Sequence, residues 1–370
     1  MATRPAVDQD RARGALLGTF VGDALGMPFE GRPPEAIPLE VEMTEARLGR
    51  GTYTDDTQMM IALAESLLRH GGVLPDELGR AFVQAYDPRR GYGAGTRQVL
   101  RLVAAGLPPE EAATRVFDGR GSLGNGAAMR VAPVAVRFAG DEPRLLREAE
   151  ASARCTHAHL FGIDAARTQA AAIAAALRGD DPIAAARSSA QTAELRHRID
   201  AAANLLAEAE ASSPPEPREL IRGDLDAGGS AAPPSDGAEG GEPPADVPAG
   251  GEAPPPPRAT GPREAARSAL PNPARAAELL GNTYAGHESV PTAIFAALAH
   301  DDVEQALAFA VRCGGDTDTI AAMTGAIAGA RHGASGIPDR WLDALEEGEK
   351  GRRHVTHLAD RLAEVARRPT

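Results

Sequence analysis

Residues 314–330 read GGDTDTIAAMTGAIAGA. Two glycines open the stretch, two acids alternate with threonines, and no further charge appears until Arg331. From 319 to 331 the pattern is apolar nearly all round, which predicts a helix buried on every side. Gly325 and Gly329 stand four apart, so this helix can let a neighbour's backbone come close. A buried central helix implies other helices around it, and the rest of the chain agrees. Residues 57–70 (TQMMIALAESLLRH) carry Met60, Leu63, Ala64, Leu67 and Leu68 on one 3.6-residue face. Residues 160–178 and 193–210 are Ala-rich with Arg and Glu interspersed, and 290–311 and 353–366 are apolar on one side. Alternating runs of Val, Ile and Thr are lacking, so strands are few. The expected class is all-α.

The chain has 370 residues, enough for one large domain with a real core. Aromatics make up 4%, so Ala, Leu, Val and Ile must fill that core. Asp and Glu outnumber Lys and Arg by 52 to 39, a formal net charge of −13. Such a balance excludes a general nucleic-acid binder, because phosphate contacts need a basic surface. No apolar run reaches the roughly 18–20 residues of a spanning helix, so no membrane partner is expected. Lys350 is the single lysine, and the excess of Arg, Ala, Gly and Pro reads as codon bias of a GC-rich genome. Cys155 and Cys313 form no CxxC and no metal-type pair, and are expected as reduced thiols in the cytoplasm. Arg11 and Arg13 precede an apolar stretch at 15–21, but Asp23 breaks the pattern and export is not expected.

One segment stands apart. Pro, Gly, Ala and Glu dominate 212–263, and 13 of the 30 prolines fall in these 52 residues. This composition buries too little apolar surface to offset its ordering entropy. It predicts a long disordered insertion joining two ordered parts, 1–211 and 264–370, that together form one domain.

Two acidic clusters are the most informative residues. Thr54-Asp55-Asp56-Thr57 and Asp316-Thr317-Asp318-Thr319 each precede a strong helical pattern. Asp and Thr at helix starts can be simple caps. Capping uses one side-chain oxygen per helix, however, and each cluster offers two carboxylates and two hydroxyls. Four carboxylates gathered in an interior would repel one another unless protonated or neutralised by cations. Oxygen donors without Cys or His favour Mg²⁺ or Mn²⁺ over Zn²⁺. This reading requires that the clusters, about 260 residues apart, meet in space.

The glycine-rich stretches at 91–96 (GYGAGT) and 119–126 (GRGSLGNG) read as loops. They are either ordinary turns or amide-lined cradles for phosphate oxygens. Neither matches a P-loop or a dinucleotide-binding turn. Thr156-His157-Ala158-His159 lacks a third metal ligand at suitable spacing. It reads better as a capping threonine followed by a histidine that meets an anion.

Seven segments in this order resemble the ADP-ribosylhydrolase family, also called the ADP-ribosylglycohydrolase or dinitrogenase-reductase-activating glycohydrolase family. They are GALLGTFVGDALGMPFEG (14–31), YTDDTQM (53–59), GYGAGT (91–96), GSLGNGAAMRVAP (121–133), THAH (156–159), ESVPTAIF (288–295) and the opening stretch. The resemblance implies a compact, orthogonal multi-helix domain with a central binuclear site for two Mg²⁺ ions, which Mn²⁺ can replace. On it, Thr54, Asp55, Asp56, Asp316, Asp318 and Thr319 are the metal ligands. Glu30 matches a glutamate that one branch places on a mobile flap beside the metals. That branch cleaves O-linked ADP-ribose, including the serine linkage, and GNTYAGHESVPTAIF (281–295) leans towards it. The resemblance wraps Gly121, Ser122, Gly124, Asn125 and Gly126 around a diphosphate, with Gly93 and Gly95 also at the substrate. It places His157 near the phosphates and Phe117 on the adenine. Leu123 departs from the pattern, because the serine-cleaving branch carries a tyrosine there. A stacked base is worth about 1–3 kcal/mol, so the departure points to weaker affinity rather than lost chemistry.

The implied reaction is hydrolysis at the anomeric carbon of the distal ribose in an ADP-ribosyl conjugate. Serine-ADP-ribose, O-acetyl-ADP-ribose and ADP-ribose polymer are the O-linked candidates. The cations would grip ribose hydroxyls and acidify a water. The base would be Glu30 or a metal-bound aspartate, Asp55 or Asp316. Asp23 would orient the ligands from behind, or be a helix-internal acid satisfied by nearby amides. Three other readings stay open: an N-linked ADP-ribosyl-arginine hydrolase, a module that binds ADP-ribose without cleaving it, and a crystallin-like structural relative. The intact acid clusters weigh against the last two. The expected partner is an ADP-ribosylated protein or a small ADP-ribose ester, and the expected state a monomer.

Overall fold

The computed structural model describes residues 7–211 and 271–367. The helices in the first stretch are α1 (Gln9–Gly26), α2 (Asp55–His70), α3 (Pro75–Ala85), α4 (Ala94–Ala104), α5 (Pro109–Thr114), α6 (Ala132–Phe138), α7 (Glu142–Arg154), α8 (Leu160–Arg178), α9 (Pro182–Ser189) and α10 (Ala193–Ala211). The second stretch adds α11 (Pro273–Leu280), α12 (Gly286–Leu298), α13 (Val303–Arg312), α14 (Thr317–His332), α15 (Asp339–Leu342) and α16 (Arg352–Ala366). Among the described residues there is no strand, only an isolated antiparallel bridge between Gly124 and Ala285. The fold is all-α, as the sequence predicts. Met1–Glu208 and Leu270–Thr370 form one unit. The expected insertion, 212–263, lies outside the described residues.

The predicted central helix is α14, and its partner is α1. Asp8 starts α1 by accepting from the Arg11 amide at 3.0 Å, and the helix is buried from Gly14 to its end. The two helices run antiparallel with their small residues meshed. Gly14 faces Gly329, Gly18 faces Gly325, Gly22 faces Ala321, and Gly26 faces Thr317 and Asp318. A spacing of four puts all four α1 glycines on one face. A Cβ on Gly18 or Gly325 would overlap the opposite backbone, so missing side chains set how close the pair can lie. Thr317 Oγ1 donates to the Gly26 carbonyl at 2.8 Å and pins the start of α14 to the end of α1.

Helices α8, α12 and α13 pack against α14, and α16 packs along α1. Helix α2 lies on α3 and α16. Helices α4 and α5 share a small apolar cluster of Val99, Ala112, Ala113 and Val116. The single apolar run expected at 290–311 is two helices. Asp302 accepts from the Gln305 amide at 2.7 Å and starts α13 afresh, four residues after α12 ends. No described helix is long and apolar enough to cross a membrane. Cys155 and Cys313 are buried and free. Burial pushes both thiols up to about 12, which leaves neither poised as a nucleophile.

Candidate active site

The start of α2 is held from inside α1. Asp23 accepts from the Thr54 amide at 3.0 Å, from the Thr57 amide at 3.1 Å and from Thr57 Oγ1 at 2.7 Å. It therefore fills the role of a helix cap from a neighbouring helix. Thr54 is the local N-cap, its hydroxyl accepting from the Asp56 amide at 3.3 Å. That leaves Asp55 and Asp56 free of capping duty. At the other cluster Asp316 stands at the N-cap position of α14, but its side chain makes no cap. Its Oδ2 accepts from Asn125 Nδ2 at 2.6 Å instead.

The two clusters meet. Thr319 Oγ1 donates to Asp56 Oδ1 at 3.4 Å, across 263 positions of sequence. The turn after α1 brings in Glu30. The Gly31 amide donates to the Gly315 carbonyl at 2.8 Å, and the Gly315 amide donates to the Arg32 carbonyl at 2.9 Å. Glu30, Asp316 and Asp318 consequently each bring a carboxylate oxygen within 4.8 Å of the other two. Arg47 approaches Glu30 at 3.6 Å.

Electrostatics follow from this crowding. Burial first, then the charge of Asp23, pushes Asp55 up to about 8. Burial, with repulsion from neighbouring acids, holds Asp56 and Asp318 well above the usual carboxylate range. Burial lifts Asp316 to about 6 despite the bond from Asn125. It lifts Asp23 to about 6 against the bonds from Thr57 and Thr54. Asp56 Oδ2 is buried with no hydrogen-bond partner among the described residues. An orphaned carboxylate oxygen among crowded carboxylates and hydroxyls suits a hard divalent cation.

Over the acids lies a cavity of about 550 Å³. That size falls in the range of roughly 300–1,000 Å³ for small-molecule sites. Glu30, Asp55, Asp56, Asp316, Asp318 and Thr319 line its acidic end. The rest of the lining includes Gly93, Gly95, Phe117, Gly121, Ser122, Gly124, Asn125, Gly126 and His157. Two predicted residues are not in the lining: Thr54 and Asp23 lie behind Asp55 and Asp56.

The two glycine loops are both structural and open. Tyr92 OH donates to Gln58 Oε1 at 2.8 Å and fastens the first loop to α2. Gly95 is glycine because the Phe117 ring lies on it; a Cβ there would sit 2.7 Å from Phe117 Cε2. Phe117 itself has φ 52°, a left-handed conformation rare for a bulky residue, and the residue is 50% exposed. The second loop pairs with 284–286. The Asn125 amide donates to the Tyr284 carbonyl at 2.9 Å, and the Gly286 amide to the Leu123 carbonyl at 3.1 Å.

His157 is buried, with its Nδ1 2.7 Å from Thr156 Oγ1. The expectation that Thr156 caps the next helix is corrected. His159 caps α8, its Nδ1 accepting from the Phe161 amide at 3.1 Å, while Thr156 Oγ1 accepts from Arg130 at 2.8 Å.

Sequence reasoning missed several lining residues. Tyr284, 70% exposed, lies within the 281–295 segment already singled out, yet an aromatic in a loop carries no signal of its direction. Met129, His159 and Arg120 also line the cavity, and Ser289 supports the wall by accepting from Asn125 Nδ2 at 3.0 Å.

The sequence model of the ADP-ribosylglycohydrolase family matches residues 4–238 and 248–370. The chain belongs to this family. It is 32% identical to human ADP-ribosylhydrolase ARH3 over 370 residues, covering 91% of this chain and 89% of that protein. An uncharacterized protein of Archaeoglobus fulgidus is 31% identical, covering 96% of this chain and 97% of its own length. A solved structure described as an ADP-ribosylglycohydrolase-related protein complex superposes with a TM-score of 0.67 at 27% identity. That match covers 99% of this chain and 100% of the solved one. The protein is accordingly an ADP-ribosylglycohydrolase, and the crowded acids are a cluster that can hold metal in a glycosidase pocket.

Proposed function

We propose that this glycohydrolase depends on Mg²⁺ and cleaves the O-glycosidic bond at the anomeric carbon of the distal ribose, as in serine-linked ADP-ribose. One observation carries the reading. Acids from two distant helix starts converge at one end of a single cavity, through the contact of Thr319 Oγ1 with Asp56, while glycine loops line the remainder. Similarity to ARH3 proteins and the 281–295 segment support the O-linked preference.

Asp55, Asp56, Asp316, Asp318 and Thr319, with Thr54 behind them, are the residues to hold two divalent cations. Bound cations supply Lewis acidity and hold ribose oxygens in place. Asn125 keeps Asp316 oriented through the 2.6 Å bond. The amides of 121–126 and the Nε2 of His157 receive the diphosphate, as backbone nests receive anions. The Phe117 ring faces the adenine. Glu30, the exposed carboxylate of the group, accepts the proton of the water that attacks the anomeric carbon. The bond from the anomeric carbon to the seryl oxygen breaks as the water oxygen bonds to that carbon. The proton taken up by Glu30 is returned through solvent to the seryl oxygen, which leaves as a hydroxyl.

The deciding experiment follows free ADP-ribose from serine-linked and arginine-linked ADP-ribosyl peptides, with EDTA and after Mg²⁺ is restored. Release from the serine-linked peptide in Mg²⁺ alone is expected. Release only from the arginine-linked peptide would make this an N-glycosidase, and release from neither would leave a binding module.

A further inference from the structure

Arg130 is a fully buried guanidinium with no carboxylate among its hydrogen-bond partners in the described residues. Its Nη1 donates to the Gly126 carbonyl at 2.9 Å. Its Nη2 donates to the Ser152 carbonyl and to Thr156 Oγ1, each at 2.8 Å. The Phe82 ring lies under it, 4.7 Å from the guanidinium carbon. A buried cation is costly, and Arg130 Nε has no hydrogen-bond partner among the described residues, so the bonds of its two Nη atoms must carry a structural task.

The task follows from counting protons. A guanidinium has donors only, so the Thr156 hydroxyl must accept from it. A hydroxyl that accepts from Arg130 still has one proton to give. The acceptor within reach is His157 Nδ1, at 2.7 Å. If Nδ1 accepts, the ring proton of a neutral imidazole sits on Nε2. Nε2 points at the second glycine loop, 3.3 Å and 3.6 Å from where a Cβ on Gly126 and Gly124 would stand. Arg130 thus grips one carbonyl of that loop and, through Thr156, orients the histidine that faces it.

We infer that Arg130 and Thr156 are positioning residues that fix His157 as the neutral Nε2–H tautomer, a directional donor to a phosphate oxygen of the bound ligand. The ligand half of this inference rests on the proposed ADP-ribose reading. Burial first, and the charge of Arg130 second, pushes His157 down to about 3, in keeping with a neutral ring. The histidine then discriminates by direction rather than by charge.

The test uses the full chain labelled with ¹⁵N-histidine, with His157→Gln to assign the ring signals. In the ligand-free wild type, nitrogen shifts of the Nε2–H tautomer are expected from pH 5 to 9. Thr156→Val should mix the tautomers and weaken ADP-ribose binding about tenfold by calorimetry, the scale of one hydrogen bond to a charged group. Thr156→Ser should restore both. An Nδ1–H ring in the wild type overturns the inference, and that spectrum decides even if the valine variant fails to fold. An unchanged tautomer and affinity in Thr156→Val also overturns it. A wild type with the Nε2–H ring that binds no ADP-ribose refutes the ligand reading and leaves the relay standing.

Discussion

Asp23 is a buried acid in the last turn of α1, and the three donors that it accepts from explain why it is there. It replaces the partners that the first amides of α2 would lose on burial, and so fixes where Asp55 and Asp56 stand. Asp23→Asn keeps the size but sets an NH₂ against amides that also donate. A loss of about 1–3 kcal/mol in thermal or denaturant unfolding is expected. Asp316→Asn should act in the opposite way. It removes one repelled charge, so the melting temperature of chelated protein at pH 7 should hold or rise, while ADP-ribose release should vanish. Retained turnover would remove Asp316 from the metal set. Both acid clusters were legible because acids stood before apolar helices in numbers that capping does not require. Asp23 was legible only as an alternative, since its partners depend on which face the start of α2 docks. Arg130 lay in a quoted motif and gave no sign, because a buried arginine reads like any surface one in sequence.

Helices α1 and α14 make the site possible by how closely they approach. Gly18→Ala would push a methyl group into the Gly325 carbonyl, and backbone cannot move aside as a side chain does. Overpacking of this kind costs about 1–3 kcal/mol and more when the obstacle is rigid, so this variant should melt far lower or fail to fold. Gly93→Ala is the control. Among the described residues nothing lies within 4 Å of a Cβ there, and the position lines the cavity. Its stability should stay within about 0.5 kcal/mol of the parent, as for a change that meets no neighbour, while calorimetry shows weaker ADP-ribose binding. Half of the helix pairing was legible, since Gly325 and Gly329 announced a close neighbour. The matching period in GALLGTFVGDALG was in plain view, yet a spacing of four does not name its partner. The break at 299–302 escaped notice because apolar residues continue on both sides of it.

At the scale of the whole molecule, the crowded acids couple folding to pH and, on the proposed reading, to cations. In chelated protein, Asp316 and Asp55 have folded values of about 6 and about 8 against an ordinary 3.8. Raised acids favour the folded state fully below the unfolded value, and that contribution is lost as pH rises through the folded value. The melting temperature of EDTA-treated protein should therefore fall between about pH 4 and pH 8. Adding Mg²⁺ should flatten the fall, because a ligand that binds only the folded state stabilises it. A profile indifferent to both would contradict the crowding of these groups. The meshed glycines also bear on how the molecule is made. Helix α1 ends at Gly26 and its partner begins only at Thr317, so α1 leaves the ribosome well before the helix it packs on. Until that partner is made the nascent chain carries a helix with an unfilled glycine face, a natural client for a chaperone. A premature stop before α14 leaves α2 without the second acid cluster, so any molecule that carries the assembled pocket is one whose translation has passed both clusters.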